Sequence, residues 1–148
     1  MEHEDFVTYE QAQQLKELGF DWECYQFYNA DKNLWSYTSI GYGDDCRDWN
    51  DKDYAAIGNS ECSAPTLSQV QKWFREIHGI DIDSESVYYR LDTGNKIMYG
   101  LRIGIQRTFQ KEFYLNYDSY NEALSKGITH ALKFIQGGGD RIVPNRII

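Results

Sequence analysis

Residues 97–105 read Ile97-Met98-Tyr99-Gly100-Leu101-Arg102-Ile103-Gly104-Ile105, and this stretch decides the fold class. Every second residue from Ile97 to Ile105 is a large apolar or aromatic one, whereas the residues between them are Met, Gly and Arg. Successive side chains of a β-strand point to opposite faces, so the pattern predicts a strand with one apolar face. An aromatic run at 87–91 and a turn composition at 92–95 precede it, which predicts a hairpin, and a third strand is predicted at 109–117.

Three helices are predicted around these strands. Each begins with Ser or Thr followed three positions later by Gln or Glu, whose side chains satisfy free amide groups of the first helical turn. Glycines, which are typical helix ends, follow each segment, and the predicted helices span 9–18, 67–78 and 120–136. The second and third helices carry apolar stripes, which predict that they face a core. The stripes consist of Leu67, Val70, Trp73, Phe74 and Ile77, and of Leu124, Ile128, Ala131, Leu132 and Ile135.

The rest of the chain predicts a second hairpin and an irregular loop. Aromatic-rich runs at 24–28 and 34–40 flank a turn composition at 29–33, whereas residues 41–62 lose all periodicity and are rich in Gly, Asp and Asn. We therefore expect a single α+β domain over residues 1–136, with three helices packed on a mainly antiparallel sheet of about five strands. The expected order is αββ-αβββ-α. Residues 137–148 are expected to form a glycine-rich stop and a flexible or docking tail.

The charge of the chain is regional. The net charge is −8 over 148 residues. Residues 1–65 hold 14 acidic and 4 basic residues, and residues 66–148 hold 9 and 11. An acidic chain repels the phosphate backbone, so nucleic acid is an unfavoured partner. The acidic half suits a basic partner, although such a charge balance also serves solubility.

The sequence predicts a cytoplasmic protein that is not inserted in a membrane. Apolar runs are only a few residues long, far below the roughly 20 residues of a spanning helix, and the first residues are acidic where an export signal is basic and then apolar. Three cysteines, Cys24, Cys46 and Cys62, are widely spaced and form no C-x-x-C pair. We expect them to be reduced thiols rather than disulfide or zinc ligands.

An aspartate-rich stretch suggests a divalent cation, because hard cations bind several oxygen ligands. Its members are Asp44, Asp45, Asp48, Asp51 and Asp53. A twelve-residue calcium loop starting at Asp48 fails, since Lys52 stands at an oxygen-ligand position and Asn59 replaces the bidentate Glu. We therefore expect no tightly bound metal. The stretch is interpreted as a solvated loop or as an attraction for a basic partner, with Asp44, Asp45 and Asp48 as candidate binding residues.

A cysteine nucleophile is the remaining catalytic hypothesis. Cys62 lies four residues before the predicted helix cap at Thr66, and His78 or His130 could supply the base that a thiol needs. However, His78 lies at a helix carboxyl end, where a cation is favoured, and His130 lies beside an apolar stripe. Structural roles are the stronger interpretation, so we assign no catalytic residue and no cofactor.

A candidate binding surface lies on the strand pair at 87–106. Tyr88, Arg90, Met98 and Arg102 are predicted to share the face opposite the apolar one, where Gly100 and Gly104 leave the backbone open. Aromatic rings, guanidinium groups and bare backbone suit a stacked base or an added peptide strand. The ordinary alternative is a plain solvent surface, or one that the rest of the chain covers.

Three stretches of the chain carry a resemblance to a known family. They are QQLKELGFDWECY at 13–25, CSAPTL at 62–67 with QKWFRE at 71–76, and YNEALSKGI at 120–128. Together they resemble small uncharacterised proteins encoded by bacteriophages, prophages and mobile elements of gut Bacteroidales. The resemblance implies a mobile-element accessory protein that acts in a bacterial cytoplasm, and it implies no activity or cofactor.

The combined expectation is a non-enzymatic binding module that contacts a host or phage protein. Two alternatives stay open. One is a nucleic-acid-binding module that uses the open sheet face, since residues 66–136 follow the α-β-β-β-α order of double-stranded RNA-binding domains. Those domains place a basic cluster at the start of the last helix, where this chain instead has Tyr120-Asn121-Glu122-Ala123. The other is a divalent-metal-dependent small hydrolase or nuclease that uses the aspartate-rich loop.

Overall fold

A computed structural model describes residues 5–36, 46–51, 60–105 and 108–136. The chain divides into two compact units, Met1–Thr66 and Leu67–Ile148. Over the described ranges it forms three α-helices and two three-stranded antiparallel sheets. The predicted α+β class and the three helices are confirmed, whereas the strands belong to two small sheets rather than to one. The predicted domain limits, 1–136, stay a prediction, and the tail at 137–148 lies outside the described residues.

In the first unit, helix α1 (Tyr9–Glu17) begins with the predicted pair of capping side chains. The Gln11 backbone N–H donates to Thr8 Oγ1 at 3.2 Å, and the Thr8 backbone N–H donates to Gln11 Oε1 at 2.9 Å. These two bonds satisfy amide groups that the first turn leaves without a helical partner. Gly19, with φ at 87°, follows the helix in the left-handed conformation.

The sheet of the first unit contains β1 (Gln26–Asn29), β2 (Leu34–Ser36) and β3 (Ser60–Ser63), in the order β2-β1-β3. The antiparallel pairing of β1 with β2 confirms the predicted hairpin. The prediction of an irregular loop is wrong for residues 60–62, because β3 pairs with the other side of β1. This short strand reads Ser-Glu-Cys-Ser and has no apolar alternation, so its partner strand, rather than its own pattern, makes it a strand.

A small aromatic core forms around β1. Cys24, Phe27 and Trp49 are buried together, and Trp35 packs against them. The rings of Phe27 and Trp49 lie 4.6 Å apart, and the Trp49 indole N–H donates to the Cys24 carbonyl oxygen at 2.8 Å. Trp49 lies within the aspartate-rich stretch, so part of the segment that was predicted to be a solvated loop belongs to the core.

The second unit begins with α2 (Leu67–Trp73), which continues as a π-helical turn over Phe74–His78. Gly79, with φ at 65°, ends the segment as predicted. Ile77 is wrongly placed by the predicted stripe, since its side chain is 57% exposed. The wider i to i+5 turn advances each residue by a smaller angle than an α-helix does, and this rotates Ile77 away from the buried face.

The second sheet is a meander of β4 (Ile80–Leu91), β5 (Gly94–Ile105) and β6 (Thr108–Tyr117). The predicted hairpin and third strand are confirmed, but β4 begins at Ile80 rather than near 87 and pairs with β5 along its whole length. Asp81 and Asp83 are polar residues among these first positions of β4, yet Ile80 and Ile82, which alternate with them, are buried. Only two residues, Asp92 and Thr93, connect the strands.

Helix α3 (Tyr120–Gln136) packs on the face of the sheet that carries Ile82 and Leu101. The helix lies close to the sheet at Gly127, where a Cβ atom would lie 2.5 Å from Ile82 Cγ2 and 2.6 Å from Leu101 Cδ1. Leu124 on α3 and Trp73 on α2 are buried, as predicted. The helix therefore covers the part of the sheet that is nearest to the start of β4.

Candidate functional site

The far part of the β4–β5 hairpin, residues 86–99, carries an exposed apolar pair; we call it the hairpin arm. Tyr88 and Ile97 lie directly opposite each other in the ladder, and their side chains are 60% and 54% exposed. Ile82, Leu101 and Ile103 lie further along the same face and are buried. The exposed pair therefore continues the apolar face beyond the part that is buried.

The dimensions of the elements explain why the apolar pair is uncovered. A 12-residue strand is about 40 Å long, whereas a 17-residue helix such as α3 is about 26 Å long. Gly127, near the middle of α3, contacts Ile82 and Leu101, which lie in the half of the hairpin away from its tip. A helix of this length cannot also reach the rows near the turn. Ile97 was predicted to lie on the apolar face of the strand, and this difference in length explains why that face is exposed at Ile97.

The four residues that were predicted to share one face lie on two faces. The register pairs Tyr88 with Ile97, and directly opposed residues of two strands lie on the same face. Arg90, two residues further, shares that face, whereas Met98 and Arg102 lie on the opposite one. The two-residue connection makes even-numbered residues of β4 face the same way as odd-numbered residues of β5. The alternation within each strand does not determine how the two strands align, so the prediction that these four residues share one face is wrong.

Arg102 is engaged in an ion pair across the sheet. Its Nη2 lies 3.2 Å and 3.1 Å from the two carboxylate oxygens of Glu85. Glu85 is opposite Gly100, which has no side chain, so the guanidinium reaches diagonally into that space. Gly100 itself is buried, and the bare backbone that was predicted to be open there is covered. Both findings make this face a poorer surface for a nucleotide base than the sequence predicts.

The aspartate-rich stretch is described in part. Asp44 and Asp45 lie outside the described residues. Asp48 is half-buried, its Oδ1 accepts the Asn50 backbone N–H at 3.0 Å, and burial raises the pKa of its carboxyl above the usual range. Asn50 in turn donates its side-chain N–H to the Phe20 carbonyl oxygen and accepts the Ser63 backbone N–H, both at 2.9 Å. The Asp48 turn thus holds a structural Asn in place.

The thiols and imidazoles that could support catalysis are buried or half-buried. Burial raises the pKa of Cys24 and of Cys62 to about 12, which suppresses the thiolate that a nucleophile requires. All three cysteines are thiols. His78 packs edge-on against Trp73 with ring centroids 4.6 Å apart, and burial lowers its pKa. Within the described ranges, no group of three or more His, Cys, Asp or Glu side chains is arranged to hold a metal ion.

A shallow depression on the first unit has a volume of about 430 Å³ and is lined by Gln13, Lys16, Glu17 and Glu61. The Lys16 ammonium donates to the Glu61 backbone carbonyl at 2.7 Å, so its charge already has a partner. The lining combines polar and charged groups without a nucleophile beside a base.

No known family matches the chain, and neither curated proteins nor solved structures give a match. The resemblance to proteins of phages and mobile elements of gut Bacteroidales therefore stays a prediction. None of the helices that the structure describes is long and apolar enough to cross a membrane. The hairpin arm is an exposed apolar surface whose exposure the lengths of its strands and of α3 explain.

Proposed function

We propose that the chain is a non-enzymatic binding module that contacts a protein partner through the hairpin arm. The observation that supports this proposal is the exposed Tyr88–Ile97 pair. A single exposed apolar side chain is ordinary on a protein surface, but two that lie directly opposite each other on neighbouring strands form a continuous apolar patch. Tyrosine is also enriched at interfaces because it combines a large apolar ring with a polar hydroxyl.

The partner is a host or phage protein, in keeping with the resemblance to mobile-element proteins. Arg90 is exposed and lies on the same face of the arm as the apolar pair, whereas the exposed Lys96 lies on the opposite face. An apolar centre with a charged residue beside it is a usual composition of a protein–protein contact. Nucleic acid is a weaker partner, because Arg102 is neutralised by Glu85 and lies on the opposite face from Arg90.

Site-specific photo-cross-linking tests the proposal. A photoreactive phenylalanine analogue replaces Tyr88 in one variant and Tyr25 in a matched control, since both tyrosines are 60% exposed and lie in different units. Each variant is illuminated in a lysate of a gut Bacteroidales host, and the cross-linked proteins are identified by mass spectrometry. We expect a defined protein adduct from position 88 that position 25 does not give.

A second variant links the adduct to the apolar pair. Tyr88→Ser combined with Ile97→Ser should abolish co-purification of the same protein, while Tyr25→Ser should leave it unchanged. Circular dichroism establishes that both variants are folded. Equal adducts from positions 88 and 25, or capture that disappears after nuclease treatment, would refute a protein contact at the arm.

A further inference from the structure

We infer that the outer edge of β4 receives an extended segment of the partner as a fourth strand, and that this segment carries a basic side chain opposite Asp83. The inference rests on the proposed function and adds a mode of binding and a partner chemistry. It follows from the hydrogen bonding of β4, from the exposure of its outer residues and from the charge beside them.

The direction of the β4 backbone groups follows from the ladder. In an antiparallel pair, hydrogen-bonded and non-hydrogen-bonded rows alternate. Leu91 and Gly94 close a two-residue turn and form a hydrogen-bonded row, so the odd-numbered residues of β4 bond to β5. The even-numbered residues point away. Ile82 confirms this independently, because its carbonyl oxygen accepts the side-chain N–H of Gln71 on α2 at 2.6 Å.

Beyond Ile82 the outward backbone groups continue along the edge. They belong to Ser84, Ser86, Tyr88 and Arg90, and the last three of these residues are exposed. In the sheet order β4-β5-β6, β4 is an outer strand, and no strand of the described ranges pairs with this side of it. Such a row of N–H and C=O groups is a template for strand addition.

The charge beside the edge specifies the partner. Asp81, Asp83 and Glu85 lie on one face of β4; Arg75 pairs with the first of them and Arg102 with the third. Asp83 is exposed and forms no ion pair within the described part of the chain. Its Oδ1 accepts a long hydrogen bond, 3.5 Å, from the side-chain N–H of Gln71. In an added antiparallel strand, Asp83 would lie in a non-hydrogen-bonded row, where Cα atoms approach to about 4.5 Å. A Lys or Arg in that position would have a direct carboxylate partner.

The residues of β4 argue against a second copy of the chain as the occupant. Pairing of two β4 edges through their outward groups places even-numbered residues opposite even-numbered ones, and hence odd-numbered opposite odd-numbered. The odd-numbered residues from Asp81 to Leu91 include no Lys or Arg, because the basic residue of β4 is Arg90. A second copy therefore cannot place a cation opposite Asp83. The occupant is a peptide segment in which basic residues alternate with apolar ones that face Tyr88.

Three synthetic eight-residue peptides are the probes, with binding measured by fluorescence anisotropy on the full chain. The first alternates lysine and valine, the second alternates glutamate and valine, and the third keeps the lysines but replaces two central valines by proline. Only the first combines a basic face with the ability to pair as a strand, so we expect it to bind. Equal affinity for the proline peptide would mean that the lysines bind only through general attraction to the net charge of −8, and it would overturn the inference.

Ser86→Pro tests the backbone pairing, with Ser86→Ala as the matched control. Proline removes the outward N–H while leaving the β4–β5 bonds intact, and it is tolerated on edge strands. We expect Ser86→Pro to weaken the first peptide by about tenfold or more, since a backbone hydrogen bond is lost and the ring obstructs the edge. Ser86→Ala should bind like the wild type. If Ser86→Pro does not fold, slower amide exchange at Ser86 and Tyr88 on peptide addition serves instead, and unchanged exchange would contradict strand addition.

Asp83→Lys tests the charge. It should weaken the lysine peptide and strengthen the glutamate peptide, each about two- to five-fold, as expected for one cross-strand ion pair. Unchanged preference between the peptides would refute the basic residue opposite Asp83.

The outcomes separate this inference from the proposed function. If photo-cross-linking at position 88 captures a protein while Ser86→Pro retains that capture and the peptides fail to bind, the edge is not the site but the module still binds a partner. If neither experiment detects binding, both are wrong. A dimer in sedimentation experiments that Ser86→Pro dissociates would identify a second copy as the occupant and contradict the proposed chemistry.

Discussion

Gly127→Ala is the most informative single substitution in the second unit, because two opposing effects act at this position. Alanine is favoured over glycine in a helix by about 1 kcal/mol. The new methyl group, however, would lie 2.5 Å from Ile82 Cγ2 and 2.6 Å from Leu101 Cδ1, whereas carbon atoms in contact are normally about 3.5–4.0 Å apart. Ile82 and Leu101 are both buried, so neither side chain has free space to move into.

The balance of these effects predicts a net loss of stability. Excess volume in a packed core costs typically about 1–3 kcal/mol, and approaches as short as 2.5 Å correspond to the upper part of that range, about 2–3 kcal/mol. Subtracting the gain of about 1 kcal/mol in helix propensity leaves a destabilisation of about 1–2 kcal/mol. Urea unfolding followed by far-ultraviolet circular dichroism measures this difference. Lys126→Ala, at an exposed position of the same helix, is the control and should change the free energy of unfolding by less than about 0.5 kcal/mol.

A double variant identifies the cause of the loss. Leu101→Ala removes one of the two atoms that the methyl group approaches, so Leu101→Ala with Gly127→Ala should be more stable than the sum of the single effects by about 1 kcal/mol. If Gly127→Ala is as stable as the wild type or more stable, α3 does not lie against β4 and β5 as described. Strict additivity in the double variant would mean that the cost does not come from Leu101.

Four further predictions concern stability and reactivity. Leu124→Ala and Trp73→Ala should each cost about 2–5 kcal/mol through lost burial and a residual cavity, and an unfolding midpoint shift worth less than about 1 kcal/mol would show that these side chains are not in a core. Thr8→Ala should cost about 1 kcal/mol by removing the cap of α1, whereas Thr8→Ser should restore most of the stability. A thiol reagent should titrate three cysteines after denaturation, and finding one thiol would contradict the prediction of free thiols. In the folded chain the reagent should react slowly with Cys24 and Cys62, because burial raises the pKa of both thiols to about 12. Burial lowers the pKa of His78 and of His130 below the usual 6.5. As the pH falls, the histidines of the unfolded chain therefore bind protons before those of the folded chain, and the free energy of unfolding should decline below about pH 6.5. Replacing both histidines by glutamine should flatten this part of the pH profile.

The periodic parts of the fold are predictable from the sequence because each element is specified locally. The alternation at 97–105 and the stripe of α3 predict elements that the structure places within a few residues of the expected bounds. The Ser119 cap also forms, with its hydroxyl accepting the Glu122 backbone N–H at 3.0 Å. The Glu122 side chain returns to Asp118 rather than to Ser119, a difference of one residue that spacing alone does not decide.

Three features could not be predicted because each depends on hydrogen bonding that the residue pattern of a single element does not determine. Strand β3 exists because β1 offers it a backbone edge, and nothing within Ser60–Ser63 indicates a strand. The exposure of Ile77 depends on a π-helical turn, which is a local change in hydrogen bonding. The two faces of the candidate site depend on a register set by two connecting residues, Asp92 and Thr93. A pattern that is periodic within one strand contains no information on how two strands align.

The two sheets also differ in how far apart in the sequence their paired strands lie. In the second sheet, β4, β5 and β6 are consecutive, and two residues separate each strand from the next. In the first sheet, β3 joins β1 only after the 30 residues between Asn29 and Ser60 have been brought into a loop. Chain entropy opposes the closure of long loops, and topologies rich in local contacts fold faster. The β4–β5–β6 meander should therefore gain amide protection early in refolding, with Ser60–Ser63 protected last, and pulse-labelled hydrogen exchange would resolve that order.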